Sequence, residues 1–248
     1  MTRRLIERER STGGGRWRKP KAAGGGGAAA SVRSVGKGSV PASTSSQRTT
    51  GESFSPTANA LQLFAIMTRR GDSQDVGPMQ SVTGCGLTWV RIGNASVVYT
   101  GATRYGFSLF RALGASPTPG QLTFDIGLGV STLHSYSLIE IPGVNTGGTN
   151  GSAAIANVGG AYGSSGAPSV TMGGAPAPAN MQIGVVGSVG SNGIGAGDGF
   201  TLIDNHMHSG FTMWLGFEQR IGGDAVIDAT LSPAGNWGML GLEILMAA

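Results

Sequence analysis

Two histidines separated by one residue, His206 and His208, form the pattern with the clearest chemical potential in this sequence. In an extended strand, residues i and i+2 point to the same side, so the two imidazoles could act together. Repeated around the axis of a trimer, such a pair could bind a transition metal. Because the rest of the sequence is typical of a globular domain, we instead expect exposed histidines at the edge of a loop, with no metal and no other cofactor.

Carboxylates offer a second possible chemistry. Glycoside hydrolases use a pair of carboxyl groups, and four aspartates lie in the C-terminal part of the chain. Their spacing selects no pair, and we interpret them as surface acids. The four are Asp198, Asp204, Asp224 and Asp228. Asp72 and Asp75 could bind calcium, but the segment GDSQD lacks the ligand order of an EF-hand.

Motifs of common enzyme classes are missing from the sequence. It contains no HExxH, no G-x-S-x-G and no P-loop. The glycine-rich string GIGAGDG at residues 193–199 does not match the dinucleotide-binding pattern, and we interpret it as a hairpin loop. The sequence therefore predicts a protein that is not an enzyme.

Charge divides the chain into two parts. Residues 1–52 hold 11 of the 17 lysines and arginines and three acids, a net charge of +8. Residues 53–248 hold six arginines and ten acids, a net charge of −4. The basic character of the chain therefore belongs to its N-terminal segment, and it does not indicate a nucleic-acid-binding body.

The N-terminal segment, residues 1–52, has the low-complexity Gly, Ala, Ser and Thr composition of a chain that cannot bury a core of its own. We predict an extended arm that anchors the protein to a partner, with Trp17 in a pocket of that partner. A protein partner is favoured over nucleic acid, because glycine spacers dilute the charge. Truncation at Gly51 is expected to leave folding stability unchanged. The predicted anchoring residues are Arg3, Arg4, Arg16, Trp17, Arg18, Lys19 and Lys21.

Residues 53–248 show short apolar runs that alternate with turns rich in Gly, Pro, Asn and Ser. This pattern predicts an all-β domain, an antiparallel β-sandwich, with the body tryptophans Trp89, Trp214 and Trp237 in its core. No apolar run approaches the roughly 18 residues of a membrane span. The single cysteine, Cys85, excludes an internal disulfide.

The apolar runs of this body also form a duplication. PTANALQLF at residues 56–64 matches PAPANMQIG at 176–184, and GLTWV at 86–90 matches GFTLI at 199–203. The matches close with LIEI at 138–141 and LEI at 242–244. We therefore predict a jelly-roll-like sandwich built from two similar halves.

The order of these segments resembles Gly/Ser-rich β-sandwich domains of bacteriophage structural proteins. The turn TGCGLTW at 83–89 is similar to the P-S-G-(L/W)-T-W turn of those domains, and PGVNTGGTN at 142–150 to their Y-x-G-V-D-T-x-N-P crossover. Cys85 and the GTNGS that follows the crossover depart from that pattern. The resemblance implies a virion structural protein, a tail fibre or receptor-binding appendage. The alternatives are a capsid decoration protein and a secreted carbohydrate-binding or carbohydrate-active protein.

Partners and location follow from this resemblance. It implies other virion proteins bound through residues 1–52, assembly as a homotrimer, and a host surface glycan or protein as a further partner. It also implies synthesis in the host cytoplasm and a final location on the surface of the phage particle.

Overall fold

The computed structural model describes residues 31–71, 75–97, 104–127, 132–190, 193–208, 211 and 213–247. The seven predicted anchoring residues lie outside these ranges. Within them, secondary structure consists of β-strands and one short 3-10 helix, Ser152–Ala154. No helix in the described ranges is long and apolar enough to cross a membrane.

The first half of the chain forms a five-stranded sheet and a three-stranded sheet. The larger sheet has the order β1-β8-β3-β6-β5 and the smaller one the order β2-β7-β4, and all neighbours are antiparallel. The strands are β1 Arg33–Ser43, β2 Gln47–Thr49, β3 Leu61–Arg70, β4 Ser81–Gly84, β5 Val90–Val97, β6 Arg104–Ala112, β7 Leu122–Asp125 and β8 Thr132–Ile141. The connectivity is that of a jelly roll, with β1, β8, β3 and β6 in one sheet and β2, β7 and β4 in the sheet opposite.

The second half repeats this arrangement strand for strand. Its sheets have the orders β9-β16-β11-β14-β13 and β10-β15-β12, so each strand takes the position of the one eight places earlier. The strands are β9 Ile155–Ser165, β10 Ser169–Thr171, β11 Met181–Val189, β12 Gly193–Ala196, β13 Thr201–His208, β14 Met213–Ile221, β15 Val226–Ser232 and β16 Gly235–Ile244. The predicted all-β fold with two similar halves is confirmed.

The four sheets stack as four layers around three hydrophobic cores. One core lies between the two five-stranded sheets and takes residues from both halves. Each half has a second core between its own large and small sheets. Along β3, Leu63, Ala65 and Met67 face the shared core, whereas Phe64 and Ile66 face the core of the first half. Because both faces are covered, the central strands β3 and β11 are buried at consecutive residues, which explains their continuous apolar runs in the sequence.

The body begins earlier in the chain than the sequence predicted. Strands β1 and β2 lie within residues 1–52, the segment assigned to the arm, and β1 pairs with β8 from Arg33 onward. Three of the basic residues counted for the arm belong to the body. Arg33 pairs with Glu140, Lys37 pairs with Asp204, and buried Arg48 donates to the carbonyls of Ser43, Ser45 and Gln47.

The motif TGCGLTW forms a tight turn at the end of β4. Gly84, Cys85 and Gly86 all have positive φ, at 124°, 56° and 64°, which explains the two glycines. A Cβ atom on Gly84 would collide with the carbonyl oxygen of Gln121. The Trp89 indole closes the turn by donating a hydrogen bond to the Gly84 carbonyl at 3.1 Å. The motif therefore encodes backbone geometry.

Two truncations test where the body begins. Removing residues 1–23 is expected to change the melting temperature by less than about 2 °C, because it takes no described strand. Removing residues 1–50 deletes β1 and leaves the carboxylates of Glu140 and Asp204 without their cations, which costs about 3 kcal/mol or more and lowers the melting temperature by at least about 6 °C. Thermal unfolding followed by circular dichroism measures both. If the two truncated proteins had equal melting temperatures, the folded body would begin at about residue 52, as the sequence predicts.

Candidate functional site

Asp204, one of the four candidate catalytic aspartates, is buried between the two halves. Its carboxylate accepts hydrogen bonds from Lys37 Nζ at 2.5 Å, Ser137 Oγ at 2.6 Å and Ser34 Oγ at 2.9 Å. The backbone N–H of Asn205 adds a fourth at 2.8 Å. Both oxygens are occupied by groups of the protein itself, so Asp204 is a structural charge and the expectation of a surface acid is wrong.

A β-bulge positions this carboxylate. The register between β13 and β14 shifts between Leu202 and Asp204, and such a bulge re-aims the side chains that follow it. The first half has its counterpart between Arg91 and Gly93 on β5. Asp204 is therefore the structural equivalent of Gly93, and the two positions lie on opposite edges of the shared core.

The contact at the Gly93 edge is apolar. A Cβ atom on Gly93 would lie 2.9 Å from Leu240 Cδ1, and one on Gly160 would lie 3.1 Å from Leu240 Cδ2. When the two halves are aligned by strand register, Leu240 in the second half is equivalent to Ser137 in the first, and Gly160 is equivalent to Lys37. The two halves therefore contact each other differently at the two edges of the shared core. At one edge Leu240 packs against Gly93 and Gly160, and at the other Lys37 pairs with buried Asp204.

The two histidines of the HMH motif serve the same interface. His206 is half-buried, and its Nε2 lies 3.0 Å from Ser39 Oγ on β1. Burial and the Lys37 ammonium lower the His206 pKa below its ordinary value. His208 is buried, with its ring 5.3 Å from that of Phe211. The expectation of exposed histidines is wrong, because β13 packs on the first half. Nowhere in the described ranges do three His, Cys, Asp or Glu side chains gather to hold a metal.

The third histidine, His134, lies in the core of the first half. Its Nδ1 and Nε2 are each 3.0 Å from a threonine hydroxyl, those of Thr68 and Thr132 respectively. Burial first, and then the charges of Arg48 and His208, lower its pKa to about 3. A neutral imidazole satisfied by two hydroxyls is therefore a packing element. No motif in the sequence indicates this role for His134, which follows from its place on β8, a strand that is buried along its whole length.

Glu218 is a buried acid that the sequence analysis did not single out. Burial raises its pKa to about 8, and the Asp228 carboxylate adds to that effect, while the Gly197 N–H at 3.0 Å opposes it. A Cβ atom on Gly184 would collide with its carboxyl group. In the first half the corresponding pair is Phe64 and Phe110, so Glu218 occupies space that an aromatic pair fills there.

The other candidate residues are dispersed. Asp224 pairs with Arg220 at 3.1 Å, and the Val226 N–H is the first cause of its lowered pKa. Asp75 lies 3.8 Å from Arg104, and Asp72 lies outside the described residues.

Two of the tryptophans, Trp89 and Trp237, are buried, as predicted. Trp214 is half-buried and packs against the core of the second half. Cys85 is buried, its Sγ donates to the Gly120 carbonyl at 3.3 Å, and burial raises its thiol pKa.

Equivalent glutamates lock the loops that lead into β3 and β11. Glu140 accepts hydrogen bonds from Arg33, from Gln62 and from both the N–H and the hydroxyl of Thr57. Burial opposes ionisation of Glu140, but these donors outweigh it and lower the pKa. In the second half, Glu243 accepts from Ala177 N–H, Asn157 and Asn180. The repeated endings LIEI and LEI were the sequence signal for this pair.

Among the described residues, two surface grooves have the size of a binding site. One, of about 360 Å³, is lined by Ser31, Met181, Gly199, Thr201, Gln219, Arg220 and Ile221, and we call it the Arg220 groove. The Arg220 guanidinium lies 5.6 Å from the centre of the Phe200 ring. The other groove, of about 580 Å³, is lined by residues 58–59, 142–146 and Ala247.

The first described residue, Ser31, lines the Arg220 groove. Residues 1–30, which include all seven predicted anchoring residues, therefore join the body at this groove. Comparisons with protein-family models, with curated proteins and with solved structures gave no match. The function of the chain is inferred from its own residues.

A double-mutant cycle tests the ion pair between the halves. Lys37→Met should lower the free energy of unfolding by about 3 kcal/mol, because it leaves the Asp204 carboxylate, 1% exposed, without a counter-charge. Adding Asp204→Asn to that variant should recover about 1 kcal/mol, since it removes the unpaired charge. Urea unfolding of the four proteins gives the coupling energy. Additive effects would show that the pair does not join the halves.

The raised pKa of Glu218 predicts that its contribution to the free energy of unfolding falls as pH rises. Its folded-state pKa of about 8 exceeds the ordinary value of 4.5, so the folded protein holds a proton that the unfolded chain has already lost between these values. Its contribution is complete below pH 4.5 and disappears as pH rises towards 8. Glu218→Gln should therefore match the parent protein at pH 4.5 and exceed it in stability at pH 8.

The matched control for this measurement is Glu140→Gln. Its carboxylate has a lowered pKa in the fold, so this variant should lose stability at pH 8 and lose less at pH 4. Urea unfolding at several pH values reports both slopes. A Glu218→Gln variant whose advantage does not grow with pH would contradict the buried neutral acid.

Proposed function

We propose that this protein is a structural component of a bacteriophage particle, a tail fibre or receptor-binding appendage. The duplicated jelly-roll body projects from the particle, and the N-terminal arm attaches it. The protein acts by binding and assembly and carries out no reaction. Jelly rolls recur in viral structural proteins, which favours this assignment for a body of two such units.

The use of ionisable groups inside the body supports a structural role. Asp204, Glu140 and Glu243 each accept several hydrogen bonds from the protein itself, and His134 is held neutral between two threonines. The acid with the most perturbed pKa, Glu218, is 1% exposed. Catalytic acids and bases must reach substrate, and these side chains are committed to packing.

Charge distribution carries the attachment proposal. Residues 1–30 contain eight lysines and arginines and two glutamates, a net charge of +6. Residues 31–248 contain nine basic and eleven acidic residues, a net charge of −2. The basic residues of the first described strands already have partners in the body, so the charge that remains for a partner lies in residues 1–30. An acidic protein surface on the particle fits this segment, with Trp17 as its apolar anchor.

Assembly and host contact follow from the same proposal. Copies of the chain associate as a homotrimer on the particle surface, as the resemblance to phage appendages implies. The outer layers of the stack then face the host and offer a binding surface for a glycan or protein.

Particle incorporation tests the anchoring role. In phage particles assembled from the genome that encodes this chain, Arg16→Ala/Trp17→Ala/Arg18→Ala should reduce the copies per particle at least about tenfold, because it removes the anchor and its flanking charges. Arg8→Ala/Arg10→Ala, which removes the same number of cations elsewhere in the segment, should incorporate normally. Quantitative immunoblotting of purified particles measures both, and equal incorporation of the two variants would contradict the anchor.

Gold-labelled antibodies against residues 31–247 locate the protein on intact particles. Labelling of the tail supports the appendage. Labelling of the head would replace it with a capsid decoration protein, and protein recovered only outside particles would overturn the virion role.

A further inference from the structure

Strand β9 forms an open edge of the second large sheet. It pairs with β16 on one side, and within the described residues no strand pairs with its other side. None of its eleven residues, Ile155–Ser165, is buried. Such an edge presents a row of backbone N–H and C=O groups with which a further strand can pair.

The other three edges of the two large sheets are protected against such pairing. Strand β1 contains Lys37 and Pro41 and has two register shifts. Strands β5 and β13 each have a bulge, and they contain Arg91 and Asp204 respectively. Charges, proline and bulges are the features that keep edge strands apart. Strand β9, with the sequence IANVGGAYGSS, has no charge and no proline, and its one register shift lies at its start.

The two largest side chains that β9 exposes are hydrophobic. Val158 is 44% exposed and Tyr162 is 69% exposed. They lie four residues apart, so they point to the same face of the sheet, and Gly160 lies between them on that face. Large hydrophobic side chains beside unpaired backbone groups favour contact with another protein strand.

The sequence of β9 is complementary to itself in antiparallel pairing. With a twofold axis at Gly160, the middle residue of the strand, all eleven residues have a partner. Tyr162 of each copy then lies opposite Val158 of the other, and an aromatic residue opposite a β-branched one is a favourable cross-strand pair. Opposite residues are both even-numbered or both odd-numbered, so backbone groups that point outward in one copy meet those that point outward in the other.

We propose that two copies of the chain pair through β9, antiparallel around a twofold axis at Gly160, so that their second halves share one continuous sheet. An antiparallel pair of this length forms about ten hydrogen bonds, as many as a typical protein interface. The lack of charge on β9 selects an identical strand, because a charged strand would leave its charges without partners there. This contact is separate from the threefold association in the virion proposal and does not depend on it.

Disulfide trapping between two different variants tests this register. In a Cys85→Ser background, Val158→Cys and Tyr162→Cys are prepared as separate full-length proteins. Their mixture should form a covalent dimer on oxidation, because the Cα atoms of opposite residues lie about 4.5–5.5 Å apart, within the range of a disulfide. Either protein alone should form none, because its two cysteines would lie about 13 Å apart along the paired strands.

The matched control for this mixture replaces Val158→Cys with Met207→Cys. Met207 is 40% exposed, much like Val158, but it lies on β13. A mixture of Met207→Cys with Tyr162→Cys should therefore give no covalent dimer. The proposed register is overturned if the first mixture does not cross-link, or if single variants or the control mixture cross-link equally well.

Sedimentation equilibrium of the full chain gives an independent measurement. Tyr162→Lys should raise the dissociation constant of the pair at least about tenfold, because it removes both aromatic contacts and places two charges on the edge. Tyr162→Phe keeps the ring and should pair as the parent protein does. The exposure of Tyr162 means that neither substitution disturbs the fold of a single copy. A parent chain that does not self-associate, or an association that Tyr162→Lys leaves unchanged, would overturn the proposal.

Discussion

The two five-stranded sheets share one apolar face, and that face is the interaction on which the rest of the molecule depends. Leu63 and Met67 from the first half meet Ile183 and Phe217 from the second, and all four are essentially buried. Each such side chain contributes about 1.5–3 kcal/mol through its removal from water. Neither large sheet could expose this face to solvent, so the halves fold as one body although each has a complete jelly-roll topology and a core of its own.

Charge breaks the symmetry of this interface at the edge where β1 lies. Strand β1 buries only Val40, so it cannot be held by an apolar face. Its backbone ladder to β8 is reinforced by Arg33 on Glu140 and by Lys37 on Asp204. The equivalent strand β9 buries no residue, and its Asn157 donates to Glu243 where Arg33 pairs with Glu140. In place of the Lys37 pair, Leu240 packs against Gly160 and Gly93. The ion pair at Asp204 therefore does at the β1 edge what an apolar contact does at the β9 edge.

The features of the fold that could be predicted are those that leave a pattern of apolar residues or of turn residues in the sequence. Continuous apolar runs marked the central strands and the repeat marked the two halves, whereas the positive φ of Gly84, Cys85 and Gly86 in the TGCGLTW turn is evident only from the structure. It did not predict β1, because RSVGKGSVPAS has neither apolar alternation nor aromatic residues, and its pairing depends on backbone bonds and on partners far along the chain. For the same reason the sequence predicts surface positions for Asp204 and His206, because nothing in the residues around HMH indicates that the other half of the body covers them.

The duplication also explains where residues are left for function. Each half begins with a strand that enters along the edge of a large sheet, and for the second half the connection across Gly151 leads into that strand. By register, Met181 and Ile221 take in the second half the positions that Leu61 and Leu113 take beside this connection in the first. Because the interior carboxylates and His134 are committed to packing, the proposed contact with partners falls to the outer surface of the body and to the basic residues 1–30.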